Sequence, residues 1–236
     1  MKENTAIPHY NTTADSLSPT LSPIMGDFLA RLYETLNAAF GPQHWWPADT
    51  PFEVAVGAIL TQNTNWLNVE KAVSNLKTNN ALDPFIIYEM PLSRLSELIK
   101  PSGYHNVKAV RLRAFIEFLV LRYDGVIENM KETSDLRAAL LEINGIGPET
   151  ADSILLYALQ KPVFVIDAYT KRVLDRHGAL DYKRSYDDFQ ALFHMSGAIG
   201  PEIYNNYHAL FVRLGKYYCK PRPACAECPI KGINYP

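Results

Sequence analysis

Residues 136–160 read LRAALLEINGIGPETADSILLYALQ, a pattern typical of two short amphipathic helices joined by a glycine turn. Apolar residues recur at helical spacing on both sides of the turn. They are Leu136, Leu140 and Ile143 before it and Ala151, Ile154, Leu155 and Ala158 after it. The sequence therefore predicts a helix, a hairpin and a second helix over residues 136–160.

The hairpin itself carries two glycines and a proline. Gly145 and Gly147 tolerate positive φ, and Pro148 suits the first position of the second helix because it has no N–H group to leave unpaired. The amides of the turn and of residues 149–151 should then point outward at the positive end of that helix, which favours one phosphate of DNA. We expect Gly145, Gly147 and Thr150 to make this contact, although a Gly-x-Gly turn is also a common tight connector between helices.

An acidic residue follows the second helix. Asp167 comes after the apolar run 163–166 and before Lys171, so its carboxylate is expected beside a bound DNA strand. This order of hairpin, Gly-Pro turn and aspartate resembles the helix-hairpin-helix DNA glycosylases of the endonuclease III superfamily. The resemblance covers most of the chain. It implies an all-α fold of two helical domains, with the helix-hairpin-helix motif at 136–160 and a DNA- and base-binding cleft between the domains.

The same resemblance implies a position in the active site for Glu149. In the bifunctional members of the family, a lysine stands two residues after the second hairpin glycine and forms a Schiff base. This chain has Glu149 there, 18 residues before Asp167, which is the spacing of the family. The resemblance therefore implies a catalytic site at Asp167 and Glu149 that lacks the nucleophilic amine. Direct hydrolysis by a monofunctional enzyme is the economical mechanism.

The overall charge of the chain does not indicate binding to nucleic acid. The chain of 236 residues has 47% hydrophobic and 20% charged residues, a formal net charge of −2 and a pI of about 6.3. Contacts to double-stranded DNA must therefore be local. Two basic clusters are candidates, although each is equally compatible with an ordinary solvated helix face. They are Lys108, Arg111 and Arg113, and Lys171, Arg172 and Arg176.

The termini and the apolar runs indicate a soluble enzyme. There is no run of about 18 apolar residues and no basic-then-apolar start of the kind that directs export. We therefore expect a cytoplasmic protein without a membrane partner. We also expect a monomer.

Helical periodicity and loop signals divide the chain. Residues 1–25 have the composition of a disordered tail. Helices are predicted at 26–41, at 52–60, from about residue 67, at 83–99 and 107–124, on either side of the hairpin, and in the segments around 186–193 and 203–214. We predict a six-helix domain at 51–163, and a second domain formed by 26–50 together with 164–236, which carries the C-terminal cysteine loop.

Two loops carry chemistry before the hairpin. The adjacent indoles of Trp45 and Trp46 either plug a helix junction or form an aromatic wall for an extruded base. The polar run 61–65 either caps two helices or supplies the side chain that fills the gap left by a flipped nucleotide. In glycosylases of this superfamily that side chain corresponds by position to Gln62 or Asn63.

A narrower resemblance rests on several short motifs. They are Trp45-Trp46-Pro47, Phe52-Glu53, GAILTQNT at 57–64, and KPSGY at 100–104 followed by Asn106 and Lys108-Ala109. Together they resemble the 3-methyladenine branch of these glycosylases. In that branch the Trp-Trp-Pro segment and an aromatic residue after the polar loop line the pocket, which implies Trp45, Trp46, Pro47 and Trp66. Such a box without added charge suits an alkylated purine, since a positively charged base stacks well on indole.

Three cysteines lie near the C-terminus in the pattern Cys219-x5-Cys225-x2-Cys228. Their clustering points to a metal or cluster site. In the family this is the place of a four-cysteine [4Fe-4S] loop, but the expected fourth position near Asn234 is not a cysteine. A cluster with a different fourth ligand, a three-ligand site and a vestigial loop all remain open.

These observations predict a base-excision DNA glycosylase acting on duplex DNA that contains a damaged base. Asp167 is expected to stabilise the cationic sugar and to steer or deprotonate the attacking water, and no His–carboxylate pair near it is apparent. Two alternatives remain. One is a bifunctional glycosylase/AP lyase for oxidised pyrimidines that uses Lys161 or Lys171. The other is a non-catalytic helix-hairpin-helix DNA-binding module, which would not need the paired tryptophans, the polar loop or Asp167.

Overall fold

The protein is described by a computed structural model that covers residues 22–196 and 200–236. Within these residues it contains eleven α-helices and no strand, in agreement with the predicted all-α class. They are α1 (Pro23–Phe40), α2 (Pro51–Leu60), α3 (Trp66–Thr78), α4 (Pro84–Glu89), α5 (Leu92–Leu98), α6 (His105–Tyr123), α7 (Leu136–Leu141), α8 (Pro148–Ser153), α9 (Ala168–Arg176), α10 (Tyr186–His194) and α11 (Pro201–Tyr217). In the part of the chain described, no helix is long and apolar enough to cross a membrane.

The first helix begins earlier than predicted. Residues 1–21 of the predicted tail lie outside the described residues. In the remaining part of that tail, α1 already starts at Pro23 rather than at Gly26. Ser22 caps it by accepting a hydrogen bond from the Met25 amide, and Pro23 occupies the first helical turn. A serine followed by proline is a sufficient start signal, so residues 23–25 belong to the folded chain.

The helix predicted at 83–99 is two helices. α4 ends at Glu89, Met90 is extended with ψ 137°, and α5 starts after Pro91. Proline lacks the N–H group that would continue the helix and pushes the preceding residue out of the helical region. The prediction of one continuous helix gave too little weight to this residue.

The predicted helix-hairpin-helix is present as α7, a tight turn and α8. Gly145 in the turn has φ 85°, and a Cβ atom there would lie 2.2 Å from Cγ of Arg111. Positive φ and close approach both require glycine at this position. α8 continues as a π-helical turn, Ile154–Ala158, which carries Tyr157.

A buried polar network connects the hairpin helices to α10. The Asp152 carboxylate is fully buried and pairs with Arg137 of α7 at 2.7 Å. It also accepts hydrogen bonds from Tyr186 at 2.8 Å and from Gln190 at 2.7 Å, both of α10. A buried charge with several donors is satisfied rather than strained. The network therefore fixes α7, α8 and α10 relative to one another.

The same network shapes the extended run 163–166 that leads to the predicted catalytic aspartate. Gln190 donates to the carbonyl oxygen of Phe164 at 2.7 Å, and the Ile166 amide donates to the Tyr186 hydroxyl at 3.2 Å. The Phe164 amide donates to Nε2 of His194 at 3.0 Å. Because buried backbone groups outside helices need such partners, side chains of α10 replace a neighbouring strand and position the start of α9.

Candidate active site

Asp167 lies at the start of α9, where it is the N-cap residue. Its Oδ1 accepts a hydrogen bond of 2.7 Å from the Thr170 amide, and its side chain is 11% exposed. The other carboxylate oxygen, Oδ2, lies 3.6 Å from Nε2 of His208 on α11. The cap fixes the direction of the carboxylate, so Asp167 has an ordinary structural role through Oδ1, while Oδ2 lies beside His208.

The contact with His208 corrects the expectation that no His–carboxylate pair lies near Asp167. His208 is buried, and its Nδ1 shares a hydrogen bond with the hydroxyl group of Tyr157. His208 was not predicted, because it lies far from Asp167 in the sequence. It could have been recognised as buried, because it lies among Tyr204, Tyr207 and Phe211 on the apolar face of a helix that the periodicity predicted.

The carboxyl groups of Asp167 and Glu149 have different proton affinities. Burial pushes the pKa of Asp167 up, but His208 and the hydrogen bonds from Thr170 outweigh it and hold the pKa below its ordinary value. Glu149 as a residue is exposed, yet desolvation of its carboxyl group and the charge of Asp167 raise the pKa of Glu149 to about 7, against the lowering effect of His208. Two neighbouring carboxyl groups with pKa values pushed apart are typical of acid–base sites.

The three predicted pocket tryptophans lie together in one cluster. The ring centroids of Trp45 and Trp66 are 5.3 Å apart, and those of Trp46 and Trp66 are 5.0 Å apart at an interplanar angle of 89°. Trp46 also packs on Tyr157 at 5.2 Å. Because Tyr157 binds His208, the aromatic cluster connects to Asp167 through two side chains.

The rings lie too close together to hold a base between them. A base sandwiched between two rings needs a spacing of roughly 7 Å, twice the contact distance between carbon atoms, whereas these centroids are 5.0–5.3 Å apart. The indole nitrogen of Trp66 is held by Glu70 Oε1 at 2.6 Å. A base sandwiched between two of these indoles would therefore have to separate them.

A cavity of about 290 Å³ lies beside Trp46 and Trp66, and it is not free of charge. Pro47, Glu53, Glu70 and Lys77 are among its lining residues. Glu53 is buried and pairs with Lys77 at 2.7 Å. Charged side chains therefore lie beside two of the three predicted pocket tryptophans, because α2 and α3 bring together residues that are far apart in the sequence.

The polar loop and the hairpin contact each other. Gln62 donates hydrogen bonds of 3.0 Å to the carbonyl oxygen of Gly145 and to the hydroxyl oxygen of Thr150, and it accepts one from Arg111. Asn63 is exposed and has φ 56°. Of the two residues predicted to fill a gap in DNA, Gln62 is engaged within the protein and Asn63 is directed to the surface.

The predicted phosphate site at the hairpin is only partly as expected. Gly147 is the N-cap of α8, and its carbonyl oxygen accepts a hydrogen bond of 2.9 Å from the Ala151 amide. One of the amides expected to be free is therefore used within the helix. Thr150 is buried, and its hydroxyl oxygen accepts from Gln62.

Neither basic cluster is an ordinary solvated helix face. Lys108 is 1% exposed and donates to the carbonyl oxygens of Leu60 and Ser102, at 2.8 and 2.6 Å. Burial and the neighbouring Arg111 lower the pKa of Lys108 to about 8. Arg113 donates to the carbonyl oxygen of Met90. These cations hold the ends of α2, α4 and the turn before α6.

The second basic cluster, on α9, donates hydrogen bonds to backbone carbonyl oxygens elsewhere in the chain. Lys171 donates to the carbonyl oxygen of Arg184 at 2.7 Å and lies over the ring of Phe189. Arg172 donates to the carbonyl oxygen of Cys219 at 2.7 Å. Arg176 donates to the carbonyl oxygens of Lys220 and Pro221, at 2.6 and 3.0 Å. These basic side chains of α9 therefore hold the start of the cysteine loop and the segment before α10.

The cysteines do not form a metal site in the described chain. Cys219 is buried, Cys225 is exposed and Cys228 is half-buried. No group of three or more His, Cys, Asp or Glu side chains within residues 22–196 and 200–236 could hold a metal ion. Arg176 Nη1 lies 3.3 Å from the Cys219 sulfur, a cationic donor at the atom that a cluster would need. The donor set does not fit the [4Fe-4S] group that the family resemblance implies.

The chain is similar to known proteins in both sequence and fold. The chain is 46% identical over 208 residues to a putative DNA repair glycosylase, MJ1434, of Methanocaldococcus jannaschii, a match that covers 87% of this chain and 94% of the relative. Among solved structures, it is similar to the H. pylori 3-methyladenine DNA glycosylase MagIII bound to 1,N6-ethenoadenine, with a TM-score of 0.71 and 30% identity over 81% of this chain and 97% of that one.

The fold extends to a more distant structure. A non-covalent endonuclease III–DNA complex matches with a TM-score of 0.75 and 21% identity, over 89% of this chain and 94% of that one. The model of the HhH-GPD superfamily base excision DNA repair proteins matches residues 56–196, which include the hairpin and Asp167. The chain belongs to the HhH-GPD superfamily of base excision DNA repair proteins.

Proposed function

We propose that the protein is a monofunctional DNA N-glycosylase that releases alkylated purines of the 3-methyladenine type. The observation that carries this proposal is the continuous path from the tryptophan cluster through Tyr157 and His208 to Asp167. A base stacked on the indoles is then connected to an ionised carboxylate through these two side chains. That arrangement serves cleavage of a glycosidic bond better than it serves binding of the DNA backbone alone.

The two carboxyl groups have separate roles in the proposed reaction. Asp167, whose pKa is lowered, stays ionised and stabilises the positive charge that develops on the sugar. Glu149, whose pKa is raised to about 7, is suited to accept a proton from the attacking water at neutral pH. A general base is most effective when its pKa lies near the working pH.

The chemistry of the aromatic site supports a cationic substrate. Indole faces attract a positively charged base by about 0.5–2 kcal/mol as a cation–π contact. Of the two acidic side chains that line the cavity beside them, Glu53 is paired with Lys77, whereas the Glu70 carboxylate, which accepts from the Trp66 nitrogen, adds to the preference for positive charge. An undamaged purine is neutral and fully paired in the duplex, so its extrusion costs more and gains less. The similarity to MagIII supports the same substrate class.

The lysines support hydrolysis without lyase chemistry. A Schiff base needs a free amine next to the sugar, and Glu149 offers none. Lys161 donates to the carbonyl oxygen of Lys131 at 2.8 Å, and Lys171 to that of Arg184 at 2.7 Å. Both amines are directed towards neighbouring backbone rather than towards Asp167.

The proposal includes the predicted division into two domains with the DNA in the cleft between them. One consists of residues 51–163, and the other of α1 together with the chain from residue 164 onwards. Contacts between α1 and α11 support this pairing, because Tyr207 donates to the carbonyl oxygen of Leu29 at 2.8 Å. Asp167, at the boundary, then faces the helix-hairpin-helix unit across the cleft.

The test uses the purified protein and four duplexes, which carry 3-methyladenine, thymine glycol, uracil or an abasic site. Released bases are separated by chromatography, and strand breaks are scored without alkali. We expect 3-methyladenine to be released without strand cleavage, and no covalent adduct after borohydride treatment. Faster release from thymine glycol, or a trapped adduct, would instead indicate a bifunctional enzyme.

The matched control for this assay is Asp167→Asn. Asparagine is as good an N-cap as aspartate, so α9 keeps its start while the charge is lost. We expect the variant to bind the duplex and to release base about 10²–10⁴-fold more slowly. Binding without any catalysis by the unchanged protein would favour the non-catalytic alternative.

A further inference from the structure

The path from the tryptophan cluster to Asp167 contains two buried polar side chains that the hydrolysis described above does not use. Tyr157 lies in the π-helical turn after α8, and His208 lies on α11. The Tyr157 hydroxyl and His208 Nδ1 share a hydrogen bond. A π-helical turn inside a helix often marks a functional position. Here it places the tyrosine ring between Trp46, at 5.2 Å, and His208, at 6.0 Å.

The second nitrogen of the imidazole faces the catalytic carboxylate. Nε2 of His208 is buried, has no hydrogen-bond partner, and lies 3.6 Å from Asp167 Oδ2. A buried donor without a partner costs roughly 1–3 kcal/mol, so its retention beside Asp167 calls for an explanation. Phe164 packs against the same imidazole edge to face, with ring centroids 6.3 Å apart, and limits its rotation.

The proton on the imidazole can be assigned from its neighbours. If the Tyr157 hydroxyl donates to Nδ1, the neutral imidazole carries its proton on Nε2. If His208 is cationic, both nitrogens carry protons. In both cases the nitrogen that lies 3.6 Å from Asp167 Oδ2 carries a proton. The remaining tautomer would set a lone pair against a carboxylate and is disfavoured by repulsion.

We propose that His208 is a positioning residue for Asp167: its Nε2–H directs and holds the Oδ2 side of the carboxylate, and Tyr157 fixes the imidazole in the required orientation. Together with Thr170, which donates to Oδ1, the carboxylate is then held from both sides. A preorganised charge needs no rearrangement when the cationic sugar forms. This proposal deepens the glycosylase function and rests on it.

The titratable groups around His208 come from three elements besides α11. They are Glu149 of α8, Tyr157 of the π-helical turn and Asp167 at the start of α9. Removal of the imidazole takes a proton donor away from Asp167 and a neighbour that lowers the pKa of both carboxyl groups. The pKa of Asp167 should then rise, so that its ionised form is lost at a higher pH as the pH falls.

The experiment compares His208→Leu, His208→Gln, Tyr157→Phe and the double variant His208→Leu/Tyr157→Phe. In His208→Leu we expect kcat for 3-methyladenine release to fall by at least about tenfold, the equivalent of one pKa unit, with KM unchanged. Glutamine restores an N–H donor at the place of Nε2 and should recover most of the loss. Tyr157→Phe should lower kcat less, and the double variant should be no worse than His208→Leu alone, since Tyr157 acts through His208.

A measurement without substrate separates this proposal from the glycosylase function. ¹³C labelling of the aspartate carboxyl groups allows the titration of Asp167 to be followed by NMR, with Asp167→Asn identifying its signal. We expect the pKa of Asp167 to be higher in His208→Leu than in the unchanged protein, and close to the original value in His208→Gln. An unchanged Asp167 titration, or additive losses in the double variant, would overturn the role of His208. If the unchanged protein released no base, only the proposed glycosylase reaction would be overturned.

Discussion

Gln62 donates a hydrogen bond of 3.0 Å to the carbonyl oxygen of Gly145, although the two residues are 83 positions apart. The bond joins the polar loop after α2 to the hairpin between α7 and α8. Arg111 donates to the same Gln62 side chain and passes so close to Gly145 that a Cβ atom there would collide with it. Two loops that are both predicted to contact DNA thus form one structural unit.

The first prediction separates the two neighbouring residues of the polar loop. Gln62→Ala removes hydrogen bonds to Gly145 and Thr150 and should lower the free energy of unfolding by roughly 1–3 kcal/mol. Asn63→Ala should leave stability unchanged, because Asn63 is exposed, but should slow base release from duplex DNA. Urea denaturation and a duplex assay measure the two effects. Equal stability of both variants would show that Gln62 is not a structural link.

The second prediction concerns the buried ion pair of Arg137 and Asp152. Asp152→Asn removes the nearer charge partner of Arg137, whose side chain is one-third exposed and also pairs with Asp187 at 3.5 Å. It weakens three hydrogen-bonded contacts of one buried carboxylate, which should destabilise the protein by roughly 1–3 kcal/mol. Base release should fall as well, because Asp152 holds Tyr186 and Gln190, which support the backbone before Asp167.

The matched control for the ion pair is Glu97→Gln. Arg94 and Glu97 lie at the same distance of 2.7 Å, but on the surface, with side chains 47% and 67% exposed. An exposed pair contributes about 1 kcal/mol or less. Denaturation curves with similar midpoint shifts for Asp152→Asn and Glu97→Gln would contradict the structural role of the buried network.

The sequence was informative where a property is local. Helical periodicity found the hairpin helices and the buried α2, and Gly145 was recognised because its turn needs positive φ. Pro91 was a local signal that was present but underweighted. The order and spacing of the hairpin, Glu149 and Asp167 were enough to recognise the family, because these residues are close together in the sequence.

Properties that depend on packing between distant helices were not predictable. His208 reaches Asp167 only because α11 packs on α9, where Gly215 makes room for the ring of Tyr169. From the sequence, Lys108 is expected to be a surface cation. Its sequence neighbours do not indicate that it donates hydrogen bonds to two buried carbonyl oxygens. Periodicity indicates which face of a helix is buried, but not which side chains of other helices pack against that face.

The third prediction is a pH dependence that arises from Glu149. Its pKa is raised to about 7, so the ionised form that accepts a proton is lost as the pH falls through 7. Base release should therefore decrease on the acid side of neutrality. Glu149→Gln should abolish this limb and lower the rate at pH 8 by about 10²–10⁴-fold.

The same carboxyl group should affect stability in the opposite sense. The folded state holds the proton of Glu149 more tightly than the unfolded state, so the contribution to stability is present below the unfolded pKa and is lost as the pH rises through 7. Glu149→Gln should therefore gain stability relative to the unchanged protein between pH 5 and pH 8. Thermal unfolding at the two pH values checks the sign, and a constant difference would argue against a raised pKa.

The last prediction concerns Trp66. Its ring contacts both Trp45 and Trp46, and its nitrogen is held by Glu70, so a base sandwiched between two of these indoles would have to separate them. Stacking on an aromatic ring is worth about 1–3 kcal/mol per base, or roughly 5- to 150-fold. Trp66→Ala should therefore reduce release of 3-methyladenine by a factor in this range, while binding to an abasic-site duplex, which presents no base, is retained. Trp66→Phe should keep most of the activity, and Leu67→Ala, at the exposed neighbouring position, should have no effect. Equal losses of release and of abasic-site binding in Trp66→Ala would instead make Trp66 a plug between α2, α3 and the loop that carries Trp45 and Trp46.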